Sequence, residues 1–198
     1  MTSITRRAAT ALLAALSLTA GIAIAAESVA PKVRFATSEG DFVVEVYPDK
    51  APKTVENFLQ YVKEKHYDGT IFHRVINNFM VQGGGYDSAY AEKKTRAPVV
   101  HEGREALAKG GPKNIVGTLA MARTNDPNSA TSQFFINVKD NDFLNPSTQA
   151  PGYTVFGKVI SGMDVVNKIK AVPTGAGGPF PSDVPKTPVL IKSATLLN

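Results

Sequence analysis

The sequence has no cysteine and no tryptophan among its 198 residues. Without cysteine the chain cannot form disulfides, thiol nucleophiles, Cys-ligated zinc sites or iron–sulfur clusters. Its 22 Lys and Arg against 17 Asp and Glu give a formal net charge of +5, with no run of five or six like charges. Because nucleic-acid binding needs clustered basic charge, no nucleic-acid partner is expected. The length suits one domain.

Several catalytic signatures are also missing. The chain has no Walker-type phosphate loop, no Gly-x-Ser-x-Gly elbow and no His-Glu-x-x-His pair. Its three histidines, at positions 66, 73 and 101, lack metal-ligand spacing. No metal and no cofactor is therefore expected. A Ser–His–Asp triad assembled only in space stays open, so a hydrolase on a β scaffold remains an alternative.

Residues 1–25 have the pattern of a cleaved secretory signal peptide. Arg6 and Arg7 precede an uncharged, Ala-rich stretch that ends in Ala23-Ile24-Ala25, a small-x-small cleavage site. Cleavage would leave residues 26–198 as one domain; it removes two arginines and no acid, lowering the charge from +5 to +3. We expect export and no stable membrane association afterwards. A retained membrane anchor is the alternative, and the choice between general and twin-arginine export stays open.

Hydrophobic spacing predicts a mainly β domain. Phe42, Val44 and Val46 alternate as in a strand, and residues 33–46 are expected to form a hairpin that turns at residues 38–41. A helix is expected with Pro52 in its first turn, because Val55, Phe58, Leu59 and Val62 fall at i, i+3, i+4 and i+7 and form one apolar stripe. Further strands are predicted at 71–75, 79–82, 115–122, 134–138, 155–160 and 189–197, and a second helix at 163–169.

Two segments do not follow these patterns. Residues 173–188 are rich in Pro and Gly and cannot form a central strand. Residues 87–114 read as a long loop, which in a compact domain is usually functional or mobile. Two helices among about eight strands, without βαβ alternation, indicate an antiparallel barrel or sandwich.

Residues 72–84 carry the most specific chemical pattern. Arg74 stands in an apolar strand, and Phe79, Met80 and Gln82 follow in a second one. A core hairpin with one exposed arginine would explain this composition. The alternative is a shallow apolar pocket with a planar cationic donor and an amide at its rim. Ser132-Gln133-Phe134-Phe135 repeats the pattern, because Gln133 and Phe135 share one face of a strand.

These motifs together resemble the cyclophilin-type peptidyl-prolyl cis–trans isomerases. Phe72-His73-Arg74, Phe79-Met80 and Gln82-Gly83-Gly84 look like the family signature, and similarity in the same order continues through residues 51–58, 117–123, 132–136 and 155–159. With its leader, the chain is most similar to the bacterial periplasmic branch. The resemblance implies a closed eight-stranded antiparallel barrel capped by two α-helices. A monomer is the default expectation for so small a barrel.

The resemblance also implies the site and the substrate. Arg74 is the catalytic arginine, with His73 in a supporting role, and the substrates are proline-containing unfolded or partly folded polypeptides. The implied proline pocket consists of Phe79, Met80, Phe135 and Leu144, and the adjoining groove of Gln82, Ala122, Arg123 and Gln133. Phe143 and Tyr153 complete the rim.

Three positions depart from many eukaryotic members of the family. Phe143 stands where those members have Trp, Tyr153 where they have His, and Arg123 where they have Asn. Because the Trp position matters for cyclosporin in that branch, weak cyclosporin binding at most is expected. The charge of Arg123 is expected to bias the choice of peptide. A non-enzymatic chaperone using the same groove stays an alternative to the isomerase.

Overall fold

The computed structural model describes residues 30–197, and the predicted signal peptide at residues 1–25 lies outside this range. Eleven β-strands lie within it: β1 Lys32–Thr37, β2 Gly40–Val46, β3 Thr70–Ile71, β4 Arg74–Ile76, β5 Met80–Gly83, β6 Thr118–Met121, β7 Phe134–Asn137, β8 Val155–Ser161, β9 Thr174–Gly177, β10 Phe180–Pro185 and β11 Leu190–Leu197. The α-helices in the same range are α1 Pro52–Lys63, α2 Gly103–Ala108 and α3 Met163–Lys170. No helix of residues 30–197 has the length and apolarity needed to cross a bilayer.

The main sheet is antiparallel, curled and open, and the predicted closed eight-stranded barrel is wrong in this respect. Its nine strands follow the order β3-β11-β1-β2-β8-β6-β7-β5-β4, while β9 and β10 pair separately. The edge strands β3 and β4 are separated in the chain only by Phe72 and His73. This link curls the sheet towards closure, yet consecutive strands joined by two extended residues cannot form a ladder with each other.

The same link explains why the strand predicted at 71–75 is interrupted. The backbone N–H of Phe72 donates to the Val189 carbonyl, 2.9 Å away, so the chain still follows β11 there. Arg74 already pairs with Gln82 of β5. The chain therefore changes partners at His73, between the two edges of the sheet.

Several other sequence predictions are confirmed, and some need correction. The hairpin turns at Gly40, whose φ is +125°, and the predicted helices correspond to α1 and α3. The strand predicted at 115–122 shortens to β6, and α2 adds a third helix inside the predicted loop 87–114. Residues 173–188 contain the β9–β10 hairpin, which stands outside the main sheet as its prolines require.

Apolar side chains form two clusters, related by the alternation of the strands. The larger lies inside the curl, where Phe35, Phe58, Tyr67 and Phe134 are fully buried and their rings pack together. The smaller cluster contains Met80, Ala120, Phe135, Leu144 and Val155. Because Phe134 and Phe135 are adjacent in β7, their side chains point to opposite faces. The second cluster therefore lies on the outer face of the sheet.

Candidate active site

One row of paired residues crosses the outer face and forms the base of the site. Successive pairs are Arg74 with Gln82, Gln82 with Phe135, Phe135 with Ala120, and Ala120 with Val155. Paired residues on antiparallel strands point to the same face. The register therefore places the guanidinium, an amide and an apolar surface side by side, although they come from distant parts of the sequence.

A cavity of about 100 Å³ opens on this row. Nine of the site residues predicted from the sequence line it: Arg74, Phe79, Met80, Gln82, Ala122, Arg123, Phe135, Leu144 and Tyr153. Met80, Phe135 and Leu144 are buried and supply an apolar floor. Arg74 is exposed and stands at the rim. The cavity can hold a small apolar ring while a cationic donor faces whatever projects from it.

A second and more polar groove adjoins the first. It has a volume of about 380 Å³, and Gln82, Ala122 and Arg123 line both spaces. Gln133 lines the second groove and accepts a hydrogen bond from Gln82, with 3.0 Å between Nε2 and Oε1. Gly85 makes room for this pair, since a Cβ there would lie 2.5 Å from Cγ of Gln133. This contact leaves Gln82 with a second N–H donor and its carbonyl oxygen, and it leaves Gln133 with its NH2 group. Both side chains can therefore hydrogen-bond an extended peptide.

The two arginines of the cavity differ in how they are engaged. Arg123 donates from Nε and Nη2 to the Gly152 carbonyl, at 3.2 and 2.8 Å, and from Nη1 to the Thr124 carbonyl at 2.8 Å. Its guanidinium also lies over the ring of Tyr153, 4.5 Å from the centroid. Arg74 takes part in no ion pair within residues 30–197. Its side chain also makes no hydrogen bond within that range. The N–H groups of Arg74 are therefore free to donate to a molecule in the cavity.

His73 lies behind the cavity and does not line it. The side chain is buried, and its ring packs against Tyr86 and Phe180, with centroid distances of 4.7 and 5.4 Å. Burial, assisted by the charge of Arg74, lowers the pKa of His73 from 6.5 to about 4. The ring is therefore neutral near pH 7. This position suits the supporting role expected for His73 and gives it no direct contact with a bound ring.

Phe143 also stands outside the cavity lining. Its side chain is 74% exposed and stacks on Phe79, with 5.6 Å between the ring centroids. Phe79 does line the cavity. Phe143 thus extends the apolar rim outward instead of closing the pocket.

Comparison with known proteins agrees with this arrangement. The family described as "Cyclophilin type peptidyl-prolyl cis-trans isomerase/CLD" matches residues 32–196. The chain belongs to the cyclophilin family. It is 54% identical over 167 residues to peptidyl-prolyl cis-trans isomerase B of Escherichia coli K12, a match that covers 83% of this chain and 98% of the relative. It is 45% identical over 192 residues to peptidyl-prolyl cis-trans isomerase A of Dickeya dadantii, covering 97% and 98%.

A solved cyclophilin has a similar fold. The crystal structure of a cyclophilin-type peptidyl-prolyl cis-trans isomerase of Cryptosporidium parvum superposes with a TM-score of 0.67 at 27% identity, covering 85% of this chain and 98% of that one. A second structure of that protein, obtained in the presence of the dipeptide Ala-Pro, gives a TM-score of 0.66. This chain is therefore a peptidyl-prolyl cis–trans isomerase with a half-barrel cyclophilin fold.

In this cyclophilin the structure adds polar residues that were not predicted from the sequence. Glu92, Thr95, Ser129 and Thr131 line the second groove. Three buried asparagines, Asn114, Asn137 and Asn141, lie beside the apolar cavity. The asparagines follow no motif, because Asn114 is 23 residues from the partner it contacts. An asparagine at the end of an apolar strand was the one available signal, at Asn137.

Proposed function

We propose that this cyclophilin accelerates X–Pro bond rotation in exported proteins during their folding, by non-covalent stabilisation of the twisted amide. In this proposal Arg74 is the catalytic residue. The proline ring occupies the apolar cavity, and the flanking chain lies along the second groove. The observation that carries the proposal is that the guanidinium of Arg74 lines an apolar cavity and makes no hydrogen bond or ion pair within the described residues.

The chemistry of the reaction explains why such a site is sufficient. Amide resonance gives the peptide bond a rotation barrier of about 18–20 kcal/mol. The two X–Pro isomers differ by only about 0.5–1 kcal/mol, so a catalyst needs to lower the barrier alone. In the twisted state the proline nitrogen regains a lone pair. A donor aimed at that nitrogen stabilises the transition state more than either planar isomer.

Arg74 fits this role by its charge and by its freedom. An arginine side chain stays protonated and offers several N–H donors in a fixed plane. Those of Arg74 make no hydrogen bond within the described chain, whereas Arg123 donates three hydrogen bonds to the carbonyls of Gly152 and Thr124. Fixing the ring in the cavity leaves the preceding carbonyl free to swing. No covalent intermediate is required.

A protease-coupled assay on an Ala-Pro peptide tests the proposal. We expect Arg74→Ala to fold normally and to lose activity by about 100-fold or more, the effect of removing one preorganised donor. Arg74→Lys keeps the charge but loses the planar fork, so it should recover only part of the rate. Arg34→Ala is the matched control, because Arg34 is paired with Asp41 on the β1–β2 hairpin.

Each result of this assay has a defined meaning. Full activity in Arg74→Ala would exclude the proposed catalytic role. A folded parent that binds the peptide without turnover would favour the binding-only chaperone. Stoichiometric labelling by a serine-directed reagent, with loss of turnover, would favour the hydrolase.

The exported location rests on the leader sequence. Arg6 and Arg7, the uncharged stretch and the small-x-small site together support secretion across the inner membrane to the periplasm. N-terminal sequencing of the protein recovered from a periplasmic extract should give a chain that begins near residue 26. Recovery of the full-length chain in the membrane fraction would instead support a retained anchor. A monomeric state and weak cyclosporin binding stay predictions.

A further inference from the structure

A buried asparagine network lies directly beside the apolar cavity. Asn137 is at its centre: its Nδ2 donates to Thr118 Oγ1 at 2.9 Å and to Asn114 Oδ1 at 3.2 Å, and its Oδ1 accepts from Asn141 Nδ2 at 2.8 Å. All four side chains are at most 2% exposed. Among the described residues, the buried side-chain atoms without a partner are His73 Nδ1 and Ser132 Oγ, so the network is satisfied.

Asn141 ties this network to one wall of the cavity. Its Nδ2 also donates to the backbone carbonyl of Phe79 at 2.9 Å. The same carbonyl accepts from the backbone N–H of Val138 at 3.1 Å. The bond from Val138 continues the β5–β7 ladder by one residue into the turn that carries Phe79, and the Asn141 amide adds a second donor to the same carbonyl. The amide of Asn141 therefore helps fix where the Phe79 side chain enters the cavity.

Asn114 ties the network to the opposite wall. Its Nδ2 donates to the backbone carbonyl of Leu144 at 3.2 Å and to Asn145 Oδ1 at 3.1 Å. The Leu144 carbonyl also accepts from the backbone N–H of Tyr153 at 3.0 Å. Leu144 and Tyr153 both line the cavity. A single carbonyl thus joins this wall to the network.

We infer that Asn114, Asn137 and Asn141 are positioning residues that set the separation of the two walls of the proline pocket. Phe79 lies in the turn after β4, while Leu144 ends a short 3-10 helix, Asp142–Leu144, and Tyr153 follows it before β8. Sheet pairing reaches Phe79 through Val138, but it does not reach Leu144, which lies outside the strands. A fully satisfied buried polar network has one preferred geometry, since any shift leaves an amide unpaired in a low-dielectric interior.

This inference rests on the assignment of the cavity as the proline pocket, and it predicts a particular kinetic signature. The walls hold the ring equally in the planar and twisted states, so loosening them removes uniform binding. Asn141→Ala should therefore raise KM for an Ala-Pro peptide about three- to tenfold and leave kcat nearly unchanged. Arg74→Ala, in contrast, should lower kcat. A failure of the positioning role would therefore appear in KM, and a failure of the proposed catalytic role of Arg74 would appear in kcat.

The control must separate positioning from general stability. Thr37→Ala removes a similarly buried hydrogen bond, in which Thr37 Oγ1 donates to the Gly40 carbonyl at 2.6 Å, in the β1–β2 turn. Both variants should lower the melting temperature, but Thr37→Ala should leave KM unchanged. Methyl NMR signals of Met80 and Leu144 should shift in Asn141→Ala and stay in place in Thr37→Ala.

A milder variant covers the case in which Asn141→Ala does not fold. Asn145 is only half-buried, and its Oδ1 accepts from the backbone N–H of Asn114 at 2.7 Å. Asn145→Ala should raise KM in the same direction by a smaller factor. If the folded parent shows no turnover, peptide affinity from an NMR titration replaces KM in the same comparison. Reduced stability with unchanged KM or affinity in the folded asparagine variants would overturn the inference.

Discussion

Arg123 and Tyr153 form a cation–π pair in which the guanidinium carbon lies 4.5 Å from the ring centroid. The arginine also donates twice to the carbonyl of Gly152, the residue before Tyr153. Both side chains line the cavity. The pair therefore fastens the chain just after β6 to the segment that carries Tyr153, and it engages three of the five N–H donors of Arg123, counting the bond to Thr124.

This relationship predicts that Arg123 shapes the pocket instead of selecting peptides by charge. Arg123→Met should raise KM about three- to tenfold, because Tyr153 loses a cation–π contact and its neighbouring carbonyl loses two donors. The ratio of kcat/KM for peptides with Glu and with Gln beside the Ala-Pro unit should change less than about twofold. A selective loss of the Glu peptide would instead support the charge bias expected from the sequence.

Glu102 is expected to stabilise helix α1 by capping its first turn, although the two are far apart in the sequence. Its buried carboxylate accepts from the backbone N–H of Lys53 at 3.2 Å, and from the N–H and hydroxyl of Thr54 at 2.8 and 2.7 Å. Helix α1 has no capping side chain of its own at Ala51. Glu102→Ala should therefore lower the free energy of unfolding by about 1–3 kcal/mol in urea titrations, because it leaves buried donors unpaired.

The matched control for Glu102 lies on α2. Glu105 is exposed and makes no such contact with α1, so Glu105→Ala should change stability by less than about 0.5 kcal/mol. Well below the melting temperature, both variants should keep the parental kcat/KM. Equal stability of the two variants would show that Glu102 does not cap α1.

Acid should destabilise the fold through its histidines. Burial is the main cause that lowers the pKa of His66, His73 and His101 below 6.5, and that of His73 falls to about 4. Below about pH 6.5 these histidines are protonated in the unfolded chain but not in the native state. The free energy of unfolding therefore falls as pH drops from about 6.5 towards 4. His73 alone should contribute a loss of about 2 kcal/mol between about pH 7.5 and pH 5.

The variant His73→Phe isolates this contribution. It keeps an aromatic ring between Tyr86 and Phe180 and removes the titrating group. In urea unfolding, its loss of stability between the two pH values should be smaller than that of the parent by about 2 kcal/mol. An identical pH dependence in parent and variant would contradict a neutral, buried His73.

Local patterns explain how much of this fold was predictable from the sequence. Phe42, Val44 and Val46 alternate, and these three side chains are buried in β2 as predicted. The spacing of Val55, Phe58 and Val62 likewise gave the buried face of α1. Such signals are local in sequence, so periodicity alone captures them. The open edge between β3 and β4 was not predictable in this way, because it depends on which distant strand each residue joins.

The candidate site divides in the same manner. Arg74 and the other predicted site residues were found because they occur in motifs typical of a family, and nine of the predicted residues line one cavity. The asparagine network was not found, because Asn114 and Thr118 meet Asn137 only where β6 pairs with β7. Nor does a sequence show that Arg123 is held by Gly152 while Arg74 is free.

The most direct test of the central claim is NMR exchange spectroscopy on an Ala-Pro peptide with the parent protein and with Arg74→Ala. This measurement reports peptide binding and bond rotation separately. Uncatalysed exchange takes about 10–100 s and provides the baseline rate. The account predicts that the parent interconverts bound isomers rapidly, and that Arg74→Ala binds the peptide with similar affinity but hardly accelerates exchange. Rapid exchange in a folded Arg74→Ala variant would contradict the account.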